Sequence, residues 1–338
     1  MASEEIIEPV QLCNRKGNIN QKSVGWSRTP LTSCNLNGSF LRKKKWNYWC
    51  FTSDELLFSI TLSHLDYAAV VFAYVLDLET LNFKEKSVLM PLGKGLIIPD
   101  NVWESAYFEK SGISVEFVEM GDATRIHVSW DAFHDQQKLE AHLLVDRTYD
   151  HDSLNVVIPW SHKRFQYTSK QVALPVRGEV KWSAGTYSFQ PTYAFATLDF
   201  GRGKWPYHAR WNWGAAAGFV NNNRVGVNFG GQWTTGTGQT ENGIIVNGHL
   251  HKINDELDWL YDRHNYMKTW VIQTSHSDRV KLVFDPIFER VSKTNSGPVK
   301  SKVHQIIGHY SGTVQLHHGE ELEFHKLLGW AEDHEAKW

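Results

Sequence analysis

Apolar and polar residues alternate one by one through long stretches of this chain, and a period of two marks half-buried β-strands rather than helices. Ile126, Val128 and Trp130 alternate with Arg125, His127 and Ser129, and Leu139, Ala141, Leu143 and Val145 repeat the pattern. Val280, Leu282 and Phe284 do so less cleanly against Lys281, Val283 and Asp285. Turn residues punctuate these runs. Gly121-Asp122 separates Ile113 to Glu119 from Thr124 to Trp130, and Asn247-Gly248 has the composition of a tight hairpin. Tyr67 to Leu76 (YAAVVFAYVL) has no polar face; its Val70, Val71 and Val75 favour a strand buried on both sides over a core helix. Helical periods are confined to three short windows, Asp131 to Lys138, Ile253 to Arg263 and Glu332 to Trp338. The pattern predicts a mainly β, antiparallel fold of barrels or sandwiches with few short helices.

At 338 residues the chain is too long for one comfortable core, which predicts two domains. The polar, Asn- and Gly-punctuated residues 1–36 read as an N-terminal arm, within which Trp26 and Arg28 of GWSRTPL are expected to dock onto the body. Pro175 and Gly178 break the pattern between Lys163 and Gly185, so the seam is placed there, giving β-barrel-like domains over 37–170 and 171–338. Thirty-five Lys and Arg against 37 Asp and Glu leave a formal charge of −2, which argues against bulk binding to nucleic acid or an anionic membrane. The longest apolar run, ten residues from Tyr67, is too short to span a bilayer as a helix. The acidic opening MASEEIIEPV lacks the order of a secretory signal, and Cys13, Cys34 and Cys50 form no C-x-x-C. Free thiols in a reducing, cytoplasmic compartment are expected.

Fifteen Trp, 12 Tyr and 17 Phe are the unusual numbers, because each buried indole N–H needs a partner. They concentrate chemistry in two segments. In Leu198 to Gly218 (LDFGRGKWPYHARWNWGAAAG), Asp199, Arg202, Tyr207, His208 and Arg210 lie among Trp205, Trp211 and Trp213. Alternation puts His208 and Arg210 on one face and Tyr207, Trp211 and Trp213 on the other. A bland alternative is a twisted strand pair with Arg202 bridged to Asp199. In Val227 to Ile253, glycines and threonines surround Asn228, Trp233 and Glu241. No G-x-x-x-x-G-K-[ST] pattern exists there and no helix follows, so a phosphate loop is rejected. Trp205, Trp211, Trp213 and Trp233 are expected to cluster around one cavity or cleft. Glu241, at a strand entrance, is either an acid raised by burial or a structural anchor paired with Arg202 or Arg210. His249 and His251 share a strand face without an evident third ligand, and His317-His318 is another chance pair among 17 histidines, so no metal site is expected.

A series of ordered motifs then carries a resemblance: LCNRKGNIN (Leu12 to Asn20), GWSRTPL, CNLNG (Cys34 to Gly38), KKKWNYWC (Lys43 to Cys50), VIPW (Val157 to Trp160), RFQYTSKQ (Arg164 to Gln171), DFGRGKWPY, WNWG, TGTGQTENG, FDPIFER (Phe284 to Arg290) and GWAEDHEAKW. Almost end to end, the chain resembles the family filed as domain of unknown function 2804. Through it, the chain is similar in outline to two-domain lipocalin-like proteins of the carotenoid hydratase and Diels–Alderase type, which act on apolar, terpenoid-type molecules. The resemblance implies paired lipocalin-like β-barrels and no cofactor. Thr235 departs from the Asp common before the GTG in that family, which weakens an acid role at that position.

These readings support an enzyme or carrier for an apolar small molecule, such as a lipid or terpenoid, held in a Trp-lined barrel cavity or inter-domain cleft. Glu241 and then Asp199 are the candidate acids; Arg202, Trp205, Tyr207, Arg210, Trp211, Trp213, Asn228 and Trp233 are the candidate ligand-binding residues. The competing readings are a carbohydrate-binding or carbohydrate-active protein, favoured by an exposed aromatic platform, and a structural or interaction protein without a pocket.

Overall fold

The computed structural model describes residues 4–38, 40–148, 150–296, 299–317 and 319–337; His318 and Trp338 lie outside them. The alternation seen in the sequence becomes two large antiparallel sheets, and the described residues hold no α-helix, only a three-residue 3-10 turn at Gln21–Ser23. The helical windows are strands and turns. Asp131 to Lys138 is a hairpin whose Asp135 and Gln136 both take positive φ (48° and 62°), Ile253 to Arg263 spans the strand Leu257–Leu260, and the C-terminal window ends the strand Glu321–Lys337. Polar residues two to a turn mimicked a helical face there. The Asn247-Gly248 hairpin forms as expected, with φ of 50° and 95° and Val246 opposite His249.

The first sheet centres on Lys43–Thr52, Phe195–Lys204 and Arg164–Trp182, flanked by Leu56–His64, Ala68–Asp77 and Phe83–Pro91 on one side. Gln137–Asp146, Ala123–His134, Ile113–Glu119, Ala106–Lys110 and Leu96–Ile97 follow on the other side. It curls around a core that includes Trp49, Phe51, Phe58, Trp130, Phe165 and Phe200. The second sheet centres on His208–Val220, Glu321–Lys337, Val299–Gln315 and Val280–Ser296, around Phe229, Trp270, Phe284 and Tyr310. The 163–185 stretch, expected to hold a seam, lies mostly in the 19-residue strand Arg164–Trp182, and the chain passes between the sheets at 205–207. Tyr67 to Leu76 has no polar face because Val71, Ala73 and Val75 enter the first core while Tyr74 and Leu76 face the second sheet.

The arm closes the first curled sheet. Leu12, Cys13, Ile19, Cys34 and Leu36 join its core, Trp26 pairs with Val156, and Arg28 forms ion pairs with Glu5 at 3.0 Å and Asp152 at 3.2 Å. Backbone carbonyls receive the cations enclosed there: Lys204 Nζ donates to Gly17 O, and Arg202 donates to Pro99 O at 2.9 Å and Trp46 O at 2.7 Å. Cys13, Cys34 and Cys50 are free and buried.

The glycines of DFGRGKW make room where the sheets meet. A Cβ at Gly201 would lie 2.1 Å from the Trp46 ring, and one at Gly203 would lie 2.0 Å from Gln166 Oε1 and 2.5 Å from the Phe165 carbonyl. Gly203→Ala is therefore expected to lower unfolding stability by about 1–3 kcal/mol in urea titrations, with the m-value unchanged. An unaltered midpoint would show that this strand has slack.

Candidate functional site: a buried acid row between two sheets

The sheets pack back to back, and cross-strand register builds two polar rows that face each other across the dry layer between them. On the first sheet, Thr61 stands opposite Tyr48, Tyr48 opposite Asp199, and Asp199 opposite Lys170. On the second, Gly230 stands opposite Trp213, Trp213 opposite Glu332, Glu332 opposite Gln305, and Gln305 opposite Arg290. Apolar walls surround both rows, including Leu57, Leu76, Ala215, Ile307 and Trp330.

Lys170 is the hinge of this chemistry. Its Nζ lies 3.0 Å from Asp199 Oδ1 and 3.1 Å from Glu241 Oε2, and 4.5 Å from the centre of the Trp213 ring. Burial pulls its ammonium down, but Asp199 and Glu241 outweigh burial and hold it charged. Burial raises Glu241, opposed by Lys170 and reinforced by Asp199. Both directions hold together because one ammonium cannot neutralise two carboxylates. Asp199 also accepts from Thr168 Oγ1 at 3.1 Å, whereas Glu241 is only 1% exposed. Glu241 is boxed in as well: Trp233 Nε1 donates to its Oε1 at 2.7 Å, and a Cβ at Gly230 would lie 2.0 Å from that oxygen.

A third carboxylate, Glu332, completes the row. Desolvation pushes it up to about 7, against the opposing charges of Arg290 and Lys170. Gln305 Nε2 donates to it at 2.8 Å, while Gln305 Oε1 accepts from Tyr74 OH at 2.8 Å. Tyr48 and Tyr74 share a hydroxyl contact of 2.7 Å, and Arg290 is occupied by Glu85 at 2.6 Å. The arrangement presents a carboxyl group that is partly neutral near pH 7, held in an apolar layer by neutral donors.

The expected tryptophans fall in two adjacent groups. Trp205 lies 5.2 Å from Trp233 and 5.4 Å from Trp211, with Trp160 at 4.7 Å and Trp46 at 5.9 Å. Trp213 instead meets Tyr48 and Trp330, each at 5.4 Å. The layer is filled: Trp205 Nε1 donates to Gln166 Oε1, Trp160 Nε1 to Trp233 O and Trp213 Nε1 to Asn228 Oδ1. Two surface grooves, of about 370 and 260 Å³, are lined by none of Trp205, Trp211, Trp213 and Trp233.

Other expectations move. Arg202 points into the first core, away from Asp199, so the bridge between them does not form, and Arg202 does not reach Glu241. Arg210 faces away from Trp211 and Trp213, as alternation required, and pairs with Asp333 at 2.9 Å rather than with Glu241. Asn228 donates to the Glu241 carbonyl at 2.6 Å, and Tyr207 is 42% exposed at the rim. His251 stacks on His317 at 5.5 Å, and no group of metal ligands occurs among the described residues. Lys170, Glu332, Gln305, Tyr48 and Tyr74 were not singled out from sequence. The signal was present in TSKQ, four polar residues in the middle of a long buried strand, and in the acidic pair after Gly329-Trp330-Ala331.

Residues 3–338 match a single family, and the chain belongs to it: the domain of unknown function DUF2804. No curated protein matches the sequence. In fold it is similar to CghA crystallised with Sch210972, at 10% identity and a TM-score of 0.51, over 89% of this chain and 90% of that one. Kievitone hydratase from Nectria haematococca aligns at 9% identity and a TM-score of 0.41, over 87% and 88%. The two-domain lipocalin-like architecture is shared with CghA. No helix among the described residues is long and apolar enough to cross a membrane.

Glu332 makes a signed prediction. A carboxyl raised from 4.5 to about 7 on folding contributes stability that is fully present below pH 4.5 and lost as pH rises through 7. Comparing wild type with Glu332→Gln in denaturant titrations from pH 4.5 to 8, the wild type should lose about 3 kcal/mol relative to the variant. A pH-independent difference would contradict a raised Glu332.

Proposed function

We propose that this protein binds an apolar small molecule between its two sheets and protonates it from Glu332. The observation that carries the reading is a carboxyl group raised to about 7 by burial and held by Gln305 against the Tyr48–Tyr74 pair. A neutral carboxylic acid in an apolar layer suits protonation of an alkene or carbonyl, since its proton is available near neutrality. As the proton leaves, the Glu332 carboxylate gains charge; Gln305 Nε2 and the Arg290 and Lys170 cations nearby stabilise it. Charge developing on the substrate faces the Tyr48, Trp213 and Trp330 rings, which are apolar and carry negative π faces. Asp199 and Glu241, the acids first suggested by sequence, serve Lys170 and so fix the field in which Glu332 works. Trp213 and Trp330 fill the layer in this conformation, so access requires these rings to shift.

The fold shared with CghA supports the reading by analogy only. The buried Trp205, Trp213 and Trp233, at 4, 5 and 8% exposure, offer no platform for sugar rings. The buried free thiols suit a reducing compartment, and we infer a cytoplasmic location from them.

The test is proton delivery. Wild type and Glu332→Gln are incubated in D2O with a panel of terpenoid alkenes and α,β-unsaturated ketones, and products are weighed by mass spectrometry. Deuterium incorporation or D2O addition by the wild type, reduced at least about 100-fold in the variant, is expected. Equal incorporation by both proteins would refute Glu332 as the acid.

A further inference from the structure

The larger groove lies at one end of the layer between the sheets, away from the tryptophan cluster. Thr52, Ser53 and Asp54 line it from the first sheet, with Thr192, Tyr193 and Phe195; residues 217–221 and 325–328 line it from the second. Its volume, about 370 Å³, is in the range of small-molecule sites. Aromatic rings stand on its walls where solvent reaches them: Phe219 is 51% exposed and Tyr193 37%, and the Phe195 and Phe219 rings meet edge to face at 5.5 Å. Small residues form the floor. Ala217 and Gly218 leave the space, and a Cβ at Gly218 would lie 2.6 Å from Leu327 Cδ1.

Register ties the groove to the acid row. Thr52 stands opposite Phe195, four residues along from the Tyr48–Asp199 pair on the same strands. Ala217 is likewise four residues from Trp213. At about 3.4 Å per residue that is about 14 Å, the length of a two- to three-ring molecule. Between groove and acid row lies one layer of side chains, with Cys50, Ser59 and Thr197 on the first sheet and Ala215, Trp330 and Ile307 on the second. Two polar atoms buried in that layer, Ser59 Oγ and Trp330 Nε1, have no hydrogen-bond partner. An acceptor and a donor left open between the groove and the acid row are suited to a ligand's hydroxyl or carbonyl. The rim carries Asp54 and Glu323 against Lys326, with Glu323 near His325 at 3.6 Å. That balance disfavours anions.

We infer that this groove is the binding site for a neutral, ring-bearing apolar molecule carrying one or two oxygen functions, whose inner end reaches towards Ser59, Trp330 and Glu332. The ring system stacks between Phe219, Tyr193 and Phe195, and Thr52, Ser53 and Thr192 hydroxyls meet its outer polar groups. The connection to Glu332 rests on the proposed function; occupancy of the groove does not.

The probe is N-phenyl-1-naphthylamine, a neutral fluorophore of this size, titrated into the full chain. Saturable one-to-one fluorescence enhancement is expected. Ala217→Trp, which fills the floor, and Phe219→Asp, at a half-exposed position where folding is tolerant, should each raise Kd at least about tenfold. Their melting temperatures should stay within a few degrees of wild type. The sulfonated analogue 1-anilinonaphthalene-8-sulfonate should bind more weakly, and Asp54→Asn with Glu323→Gln should improve it. Probe binding needs no turnover, so a failure of proton delivery with the probe still bound by wild type and lost in the groove variants leaves the site standing, and the two readings fail separately. No binding by wild type, or unchanged binding in folded Phe219→Asp, would overturn the site. Tighter binding of the sulfonate than of the neutral probe would overturn the ligand class.

Discussion

One ammonium group serving two buried carboxylates is the constraint around which the two sheets are organised. Lys170 comes from the longest strand of the first sheet, Asp199 from the strand beside it, and Glu241 from the residue just before the strand Asn242–Val246 of the second, so the contact staples the sheets together. A buried ion pair gains little net stability, but removing one partner leaves an uncompensated charge, typically at a cost of about 3–5 kcal/mol. The sheets are thus fixed in one mutual register. Burial in the same layer is what leaves Glu332 raised, with Asp199 adding to it against Arg290 and Lys170.

The interiors of both curled sheets are filled, the first by its own aromatics and by the arm, the second by Trp270, Phe284 and their neighbours. The buried polar rows lie instead in the layer between them, and the proposed function is placed there for that reason. The cations Arg202 and Lys204 show the same logic from the other side. They share a strand with Asp199 but point into the first core, where backbone carbonyls of the arm and loops satisfy them without a carboxylate.

Sequence periodicity was sufficient for the fold class because strands such as Ile113–Glu119, Ala123–His134 and Gln137–Asp146 alternate buried with more exposed residues. It failed where polar residues cluster at hairpin ends, as at Asp135-Gln136, since four or five residues cannot separate a period of 2 from 3.6. The site was half legible. Glu241, Asp199, Trp213 and Asn228 do meet, because each lies on the outward face of its strand. Lys170 and Glu332 were hidden in plain view, in RFQYTSKQ and GWAEDHEAKW, since nothing local marks a charged residue as buried. The pairing of Glu241 with Lys170 rather than with an arginine depends on the packing of one sheet on the other, which brings together residues 71 apart and which no local pattern encodes.

The central claim is a protonation pattern: a charged Lys170 between carboxylates and a neutral Glu332 a short distance away. Neutron diffraction from deuterated crystals at pH 6 reads it directly. Three deuterons on Lys170 Nζ and one on a Glu332 carboxyl oxygen are predicted; a bare Glu332 carboxylate or a two-deuteron Lys170 would contradict the account.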